Sequence, residues 1–474
     1  MLQRLRFFRA PNSSFAHDST IARSLRGYLL VDFFHAVQKR RSLARPACLL
    51  SIFLWITVLP FPALYAQTSF DLVLKGGHVI DPRNGIDAVR DVAIKNHKIA
   101  EVAEHIQAGA RVKVVDVGGL YVTPGLVDIH VHVYAGTGER RSYAGDHGLY
   151  PDGFTLRSGV TTAVDAGSSG WRNFPDFKDR VIDRSITRVL AFINIVGSGM
   201  RAGNYEQNLG DMDAQATADQ ALKYPQVIVG IKTAHYDGPE WTPVERAVQA
   251  GTIANIPVMV DFGTFRPERP YEELVSNKLR PGDISTHMYL DDVPMLDATG
   301  TVRPYLFAAR KRGVIFDVGH GGGSFLFRQA APAVRQGFVP DSISTDLHND
   351  SMNAGMKDML NVMSKFLNLG VSLDDVIRMS TSNPAHEIKH DELGNLSVGS
   401  DADIAVLHLE KGNFGFVDTF GARMAGTEKL VCEMTVRDGR VVWDLNGITR
   451  EDWTRLGQYH AQGSKVWDET IIDP

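Results

Sequence analysis

The feature that most constrains the fold is a run of about 260 residues in which short apolar segments alternate with amphipathic, helix-like stretches. Eight of the apolar segments end in polar residues; in order they are GLVDIHVH, GVTTAVDAG, TRVLAFINIVG, VIVGIKTA, IPVMVDFG, DISTHMY, GVIFDVGH and SISTDLH. Eight such units are typical of an α/β chain folded as a (β/α)8 TIM-like barrel. A doubly wound sheet is the competing fold, but no glycine-rich phosphate turn follows the first strand. We therefore predict a barrel over residues 123–390.

Strand-rich segments flank the barrel on both sides. Residues 67–122 contain DLVLKGGHVIDP and DVAIKNHKIAEVA, short alternating runs that are separated by glycine, asparagine and proline turns. The same pattern returns in residues 391–447, in DADIAVLHLE and KLVCEMTVRDG. We therefore expect a small β-sandwich domain formed from both chain ends, followed by a C-terminal tail over residues 448–474.

Residues 1–66 have the pattern of an N-terminal extension and signal peptide. Basic Arg40 and Arg41 precede an apolar run over 47–59, and a small-residue exit follows at Ala66. The apolar run is short for a membrane span, so cleavage is favoured over a retained anchor. The sequence thus predicts a secreted or periplasmic protein with no stable membrane span after cleavage.

Composition limits the class of partner. The formal net charge is −5, and the basic residues are spread along the chain. A nucleic-acid partner would require clustered Lys and Arg, so a small molecule is the expected partner. The two cysteines, Cys48 and Cys432, cannot form a disulfide scaffold. Cys432, in the strand-like LVCEMTV, is expected to be a buried small apolar residue.

The sharpest chemical signal is PGLVDIHVH, at the end of the first barrel strand. Residues two apart in a strand face the same side, so His130 and His132 are both expected to face the barrel mouth. Neutral imidazole nitrogens placed there can bind one metal ion. Two histidines at this spacing also occur by chance, but their position after a Pro-Gly turn favours metal binding.

This nonapeptide resembles the signature of the amidohydrolase superfamily, which includes dihydroorotase, hydantoinase and N-acyl-amino-acid deacetylases. The resemblance covers the chain from Phe70 to about Trp453. It implies hydrolysis by water that one or two divalent metal ions activate, with Zn as the expected ion and Mn and Fe as alternatives. The superfamily is often multimeric, which leaves a homo-oligomer open. SISTDLH and MNAGMKDM are similar to the amidohydrolase/deacetylase branch near dihydroorotase.

The resemblance implies further metal ligands at other strand ends. Lys232, after the fourth strand, matches a lysine that carbon dioxide converts to a carbamate bridging two cations. His287, after the sixth strand, matches a metal-binding histidine. Asp346, after the eighth, matches a catalytic aspartate that binds metal and takes a proton from water. A salt-bridged lysine and a helix-capping aspartate are the simpler interpretations.

One position departs from the family pattern. The superfamily usually has a histidine at the end of the fifth strand, where this chain has Asp261. We expect Asp261 to bind the second cation through oxygen. The alternative is a hydrogen bond from Asp261 to a ligand, with a single metal ion in the site. His235, just beyond Lys232, is a second candidate for the missing ligand.

Two residues are candidates for substrate contact. The seventh strand ends in FDVGHGGGS, where glycines let backbone amides approach a ligand closely. His320 is therefore expected to contact the substrate and to act in catalysis by steadying an oxyanion; a helix-capping role is the alternative. Arg201, in GSGMRAG, is a candidate partner for a substrate carboxylate or, equally, part of a loop salt bridge.

Together these residues predict a metal-dependent amidohydrolase or deacetylase that cleaves a non-peptide amide or an ester of a small acyl substrate. Dihydroorotase or another cyclic amidase is the alternative within enzymes, and secretion disfavours it because pyrimidine synthesis is cytoplasmic. A non-catalytic scaffold or binding protein on the same fold is the alternative from another class. The retained ligand set disfavours that second alternative.

Overall fold

The computed structural model describes residues 69–135, 147–201 and 203–456, and the structural statements below refer to these residues. The predicted N-terminal extension and signal peptide lie outside them. Within these ranges, no helix combines the length and the apolar character that crossing a membrane requires.

Fifteen strands and nine α-helices make up the regular structure of the described residues. The strands are Leu72–Asp81 (β1), Ile86–Lys95 (β2), Lys98–Ala103 (β3), Lys113–Asp116 (β4), Tyr121–Pro124 (β5), Leu126–Val131 (β6), Val160–Gly170 (β7), Arg188–Asn194 (β8), Ile228–Thr233 (β9), Val258–Val260 (β10), Ile284–Ser285 (β11), Ile315–Phe316 (β12), Ile404–Val417 (β13), Arg423–Arg437 (β14) and Arg440–Asp444 (β15). The helices are Phe174–Arg180 (α1), Ala214–Lys223 (α2), Thr242–Ala254 (α3), Tyr271–Glu273 (α4), Pro304–Lys311 (α5), Phe327–Arg335 (α6), Met359–Asn368 (α7), Leu373–Arg378 (α8) and Ser382–Glu387 (α9).

Strands β6 to β12 form one parallel sheet in chain order, and this sheet curls into a ring. Residues 342–347 complete the ring through isolated parallel bridges. Ser342 pairs with Asp317 just beyond β12, and Leu347 pairs with Val131 in β6. The barrel that the sequence predicts is therefore confirmed, with its eighth segment held by two bridges.

The barrel strands are buried along nearly their whole length, which explains why their sequences are apolar without strict alternation. The helices between them bury only one face. In α3, for example, Val244, Ala247 and Ala250 are buried at helical spacing. This helix has Pro243 in its first turn and ends at Asn255, which adopts a left-handed φ of 55°.

A second sheet combines strands from both ends of the chain. Its order is β15-β14-β13-β5-β1-β2-β3, and β4 also pairs with β1. The two contributions meet where β5 pairs antiparallel with β13, with Pro124 opposite Ile404. Because β6 begins only one residue after β5 ends, this sheet fixes the start of the first barrel strand.

Candidate active site

The ends of the barrel strands surround a cavity of about 730 Å³. In a (β/α)8 barrel this carboxyl-terminal face is where the loops after the strands converge. The cavity is lined by Glu206, Gln207, His235, Asp237, Asp261, Gly263, Thr264, His287, Leu290, Gly322, Gly323, Ser324, Asp346, His348 and Asp350. Five of these residues carry a carboxylate, so the cavity suits cations.

Three buried side chains, of which Asp346 lines the cavity, form a compact group of possible metal ligands. One ligand atom each from His130, His132 and Asp346 lies within 4.8 Å of the others. Asp346 Oδ1 is 3.2 Å from His132 Nε2 and 3.6 Å from His130 Nε2. Two imidazole nitrogens and a carboxylate oxygen are a donor set that a divalent ion such as Zn accepts. The residues present therefore fit a bound cation.

Buried hydroxyl groups orient both histidines. His130 Nδ1 is 2.9 Å from Thr286 Oγ1, and that hydroxyl donates to Asp317 Oδ2 at 2.7 Å. His132 Nδ1 is 2.9 Å from Ser168 Oγ. Hydrogen bonds at Nδ1 fix the ring and leave Nε2 for the cavity. Burial lowers the pKa of His130 to about 3, so its imidazole is neutral, as metal binding requires.

A second group of potential ligands lies on the neighbouring strands. Asp261, directly after β10, places Oδ2 at 3.0 Å from His235 Nε2 and 3.5 Å from His287 Nε2. His287 Nδ1 is 2.6 Å from the carbonyl oxygen of Gly319, which sets the orientation of the ring. The structure thus brings together Asp261 and His287, which the sequence placed in the site, and adds His235 to them.

Lys232 lies next to the first group of ligands. It is fully buried near the end of β9, and its Nζ is 3.1 Å from His130 Nε2. Burial lowers the pKa of the Lys232 amine, which favours its neutral, nucleophilic form. The carboxylates Asp261 and Asp346 act against this shift without reversing it.

Both site carboxylates are held ionised. Burial alone raises the pKa of Asp261, but His235 and His287 hold it well below its usual range. Burial also raises the pKa of Asp346, and the nearby imidazoles, His130 foremost, outweigh this effect and hold it well below the usual range. Ionised carboxylates favour cation binding. Burial lowers the pKa of His235 and of His287, but Asp261 raises both above the ordinary value, so a cation that binds these imidazoles displaces protons from them.

The backbone at this site adopts uncommon conformations. His235, His287 and Asp346 have φ values of 54°, 60° and 50°, in the left-handed region that non-glycine residues rarely adopt. Each such residue costs on the order of 1–3 kcal/mol and persists only where its surroundings impose it. Gly321, with φ of 53°, lies so close to Asp346 that a Cβ there would overlap Oδ2. These outliers support a functional role for this part of the molecule.

His320 does not line the cavity, so its expected contact with the substrate stays a prediction. The side chain is fully buried, and Nε2 is 2.6 Å from Lys365 Nζ. Its ring stacks on Phe325 with centroids 4.6 Å apart. These partners satisfy the imidazole inside the protein, and the residues that follow, Gly322, Gly323 and Ser324, line the cavity.

Arg201 likewise does not line the cavity. Its guanidinium lies over the ring of Tyr205, 4.2 Å from the centroid. The substrate contact expected for Arg201 is therefore not part of the described cavity wall.

Several site residues escaped the sequence analysis. Ser168 and Thr286 are small hydroxyl residues at strand ends, next to predicted functional positions, and that proximity is a signal that could have identified them. Asp317 stands in the seventh strand segment and could have been found in the same way. Glu206 lies in a connection after β8 and carries no such signal.

Comparison with known proteins agrees with this geometry. Residues 327–442 match the amidohydrolase family. A protein named deacetylase from Brucella anthropi is 33% identical over 351 residues, which are 71% of this chain and 83% of the relative. Another deacetylase, from Enterococcus faecalis, is 30% identical over 381 residues, 78% of this chain and 99% of the relative.

Two solved structures resemble the described fold over 79% of this chain. One is a crystal structure of an adenine deaminase, with a TM-score of 0.72, 29% identity and 100% of that chain covered. The other is a crystal structure of a dihydroorotase, with a TM-score of 0.68, 30% identity and 99% of that chain covered.

Proposed function

Because the chain belongs to the amidohydrolase superfamily, we propose that it hydrolyses an amide or ester bond of a small acyl substrate with metal-activated water. It is a metal-dependent hydrolase of the amidohydrolase/deacetylase kind, as its deacetylase relatives indicate. The observation that carries the proposal is the convergence of His130, His132 and Asp346, the last of which lines the cavity.

The cation would be held first by His130, His132 and Asp346. When bound, a divalent ion supplies Lewis-acid activation of water and of a carbonyl oxygen at neutral pH. Zn is the ion we propose, because nitrogen and carboxylate donors in this number are typical of its catalytic sites. The second group, Asp261 and His287, would hold a second ion.

Asp346 is the proposed proton carrier of the reaction. Its carboxylate lines the cavity, and its lowered pKa keeps it ionised, so it can accept a proton from attacking water. The same group then returns the proton to the leaving nitrogen or oxygen. Gly322 and Gly323 present a side-chain-free wall, against which the acyl group of a substrate can lie close to the backbone.

Lys232 is proposed to be carboxylated. Its neutral amine would attack the carbon of carbon dioxide, form an N–C bond and release one proton to give an anionic carbamate. Complete burial and a lowered pKa support this, since both favour the neutral amine. The carbamate would add two oxygen donors beside His130, from which Nζ is 3.1 Å away.

Two features outside the active site extend the proposal. We interpret the sheet shared by both chain ends as the predicted β-sandwich, because Leu74 and Val92 are buried in one apolar cluster and Val73 and Ala93 in another. Adjacent residues of a strand face opposite sides, so both faces of this sheet are covered.

We also propose export through the apolar segment at residues 47–59, which sequencing of the mature N-terminus would test.

The test begins with metal analysis of protein purified in the presence of bicarbonate, followed by a substrate panel. The panel contains N-acyl amino acids, acyl esters and cyclic amides including dihydroorotate, since the likeness to a dihydroorotase favours cyclic amides as the second candidate. We expect bound metal and turnover in the wild type, and loss of both in His130→Ala. His386→Ala, at an exposed histidine away from the site, is the matched control. Wild-type protein that binds no metal and hydrolyses nothing would favour the scaffold alternative.

A further inference from the structure

We propose that His235 is a ligand of the second cation, replacing the fifth-strand histidine that this chain lacks, and that Glu206 holds its ring in place. This inference rests on the proposed metal-dependent function. In the superfamily pattern an imidazole follows the fifth barrel strand, which is β10 here. In this chain Asp261 stands at that position, and the imidazole of His235 lies in the connection after the fourth barrel strand, β9.

The first argument is the convergence of donor atoms on Asp261. Its Oδ2 is 3.0 Å from His235 Nε2 and 3.5 Å from His287 Nε2. Ligand atoms about 2.0–2.2 Å from a tetrahedral Zn lie roughly 3–4 Å from one another. Both distances to Asp261 match that requirement, and His235 lines the same cavity as the other two residues. The three ligand atoms do not all lie within 4.8 Å of one another as those of the first group do, so ion binding would draw the two imidazoles together.

The second argument is the position of Glu206. It is only 3% exposed, and its Oε2 is 3.3 Å from His235 Nδ1. A carboxylate at Nδ1 of a metal-binding histidine fixes the tautomer and leaves Nε2 with a lone pair for the ion. The other oxygen, Oε1, has no hydrogen-bond partner among the described residues. His235 is thus the group toward which this buried carboxylate is directed.

The third argument is that the surrounding backbone imposes the position of His235. Its φ of 54° is a strained value for histidine. Arg269, 1% exposed, donates from Nη2 to the carbonyl oxygens of Tyr236 and Thr264 at 2.8 Å each. These contacts tie the loop that carries His235 to the loop that follows β10. A Cβ at Gly263 would lie 2.6 Å from Tyr236 N, so the two loops pack without space between them.

The competing arrangement is an ion pair without metal, in which a protonated His235 bridges Glu206 and Asp261. The two arrangements differ in what removal of the imidazole does to cation binding. A bridging imidazolium is dispensable for the second cation, because Asp261 and His287 would still be present. If His235 is instead a ligand, its removal weakens binding of the second cation.

The experiment is a Co²⁺ titration of the metal-free full chain with bicarbonate present, followed by visible absorption and by metal analysis. We expect two equivalents in the wild type. His235→Ala should keep the first equivalent and bind the second at least about 100-fold more weakly. Glu206→Gln should weaken the second by about 10- to 100-fold, the usual effect of losing an orienting partner. Glu245→Gln, at an exposed carboxylate outside the cavity lining, should keep both equivalents.

Binding of the second equivalent by His235→Ala with wild-type affinity would overturn the proposal and support the ion pair. Binding of the first equivalent with wild-type affinity reports that the variant is folded. His235→Gln, which keeps a polar side chain of similar size, serves if the alanine variant unfolds, and the same loss is expected. Failure of the proposed function is distinct, because the wild type itself would then bind no Co²⁺.

Discussion

At the scale of single residues, partners far away in the sequence decide what each buried histidine can do. His130 and His320 are both fully buried, and burial is the main reason that the pKa of each lies below the ordinary value. Nε2 of His130 faces Lys232 and Asp346 at the cavity. Nε2 of His320 instead contacts Lys365 in α7, so the same residue type there joins elements of the fold.

Asp346→Asn tests the proton carrier. The amide keeps the shape of the side chain but cannot accept a proton, so we expect kcat to fall by about 10²- to 10⁴-fold. Steady-state kinetics on the best substrate of the panel, with circular dichroism to verify folding, measure this. Asp350→Asn, at a more exposed carboxylate of the same cavity, should stay within about tenfold of wild type. A similar result for Asp346→Asn would remove this residue from proton transfer.

Cys432 is expected to resist alkylation in the native protein. Burial raises the pKa of this thiol to about 12, so almost no thiolate is present at pH 8. Iodoacetamide labelling followed by mass spectrometry of the peptide containing Cys432 measures this, and the protein in denaturant provides the fully labelled control. Because the folded pKa lies above the ordinary 9.0, this thiol also makes folding less favourable as the pH rises from 9 toward 12. Equal labelling rates with and without denaturant would contradict the prediction.

At the scale of elements, the loops after the strands place the functional groups. Strands β11 and β12 contain only two residues each, and the chain turns immediately into left-handed conformations at His287 and Gly319. The sequence predicts which strands end in polar residues, because that pattern is local. It does not predict where each side chain points after a turn, so the burial of His320 against Lys365 and Phe325 has no signal in the sequence.

The same limit explains why the sequence names His235 as a candidate ligand but not Glu206 as its partner. Glu206 reaches the site from the connection after β8, and only the packing of that connection against the loop after β9 makes it a partner of His235. No spacing rule links the two positions. By contrast, strand alternation places His130 and His132 on the same side of the first barrel strand, and the resemblance to the superfamily is what points to Lys232 and Asp346.

Gly321→Ala tests the close approach of the seventh-strand loop to Asp346. A methyl group there would overlap Oδ2, and the φ of 53° disfavours alanine. We expect a fall in kcat of at least about tenfold, because a displacement of about 1 Å at a catalytic group can cost up to 10²-fold. Gly153→Ala is the control, since its Cβ would meet nothing within 4 Å, its φ is not left-handed and it does not line the cavity, so its activity should be preserved. Equal activities of the two variants would show that this contact is unimportant.

Arg269→Met tests the hydrogen bonds by which the Arg269 guanidinium joins the loop after β9 to the loop after β10. Without the guanidinium, the carbonyl oxygens of Tyr236 and Thr264 lose a buried donor. Each unsatisfied group costs about 1–3 kcal/mol, so the free energy of unfolding should fall by about 2–5 kcal/mol. Chemical denaturation measures the change, and Arg266→Met, at an exposed neighbour, should change it by less than about 1 kcal/mol. An unchanged Arg269→Met variant would mean that solvent replaces these bonds.

At the scale of the whole molecule, the fold gathers carboxylates at one end of the barrel, where a bound cation would help to balance their charge. Five acidic side chains line the cavity among the described residues. Folding brings these charges together, whereas the unfolded chain keeps them apart. An ion that binds only the folded state therefore stabilises the fold as well as serving the reaction.

Chelation should lower the thermal stability of the protein. At a free ion concentration of 100 times Kd, binding contributes about 2.7 kcal/mol, which removal of the ion forfeits. Differential scanning calorimetry at graded free Zn²⁺ measures the midpoint of unfolding, which should rise with the ion and fall with a chelator. A double variant, His130→Ala with His132→Ala, should lose much of this dependence. A midpoint independent of Zn²⁺ in the wild type would contradict the prediction.

The sheet shared by the two chain ends has a consequence for synthesis. In the folded protein, β5 pairs with β13. During synthesis, β5 emerges from the ribosome about 280 residues before β13 does. At roughly 5–20 residues per second, its pairing edge waits on the order of 15–60 s, during which another chain can pair with it. A product that stops before β13 retains that bare edge indefinitely. Closure of this sheet therefore distinguishes chains translated through their last strands from those released early.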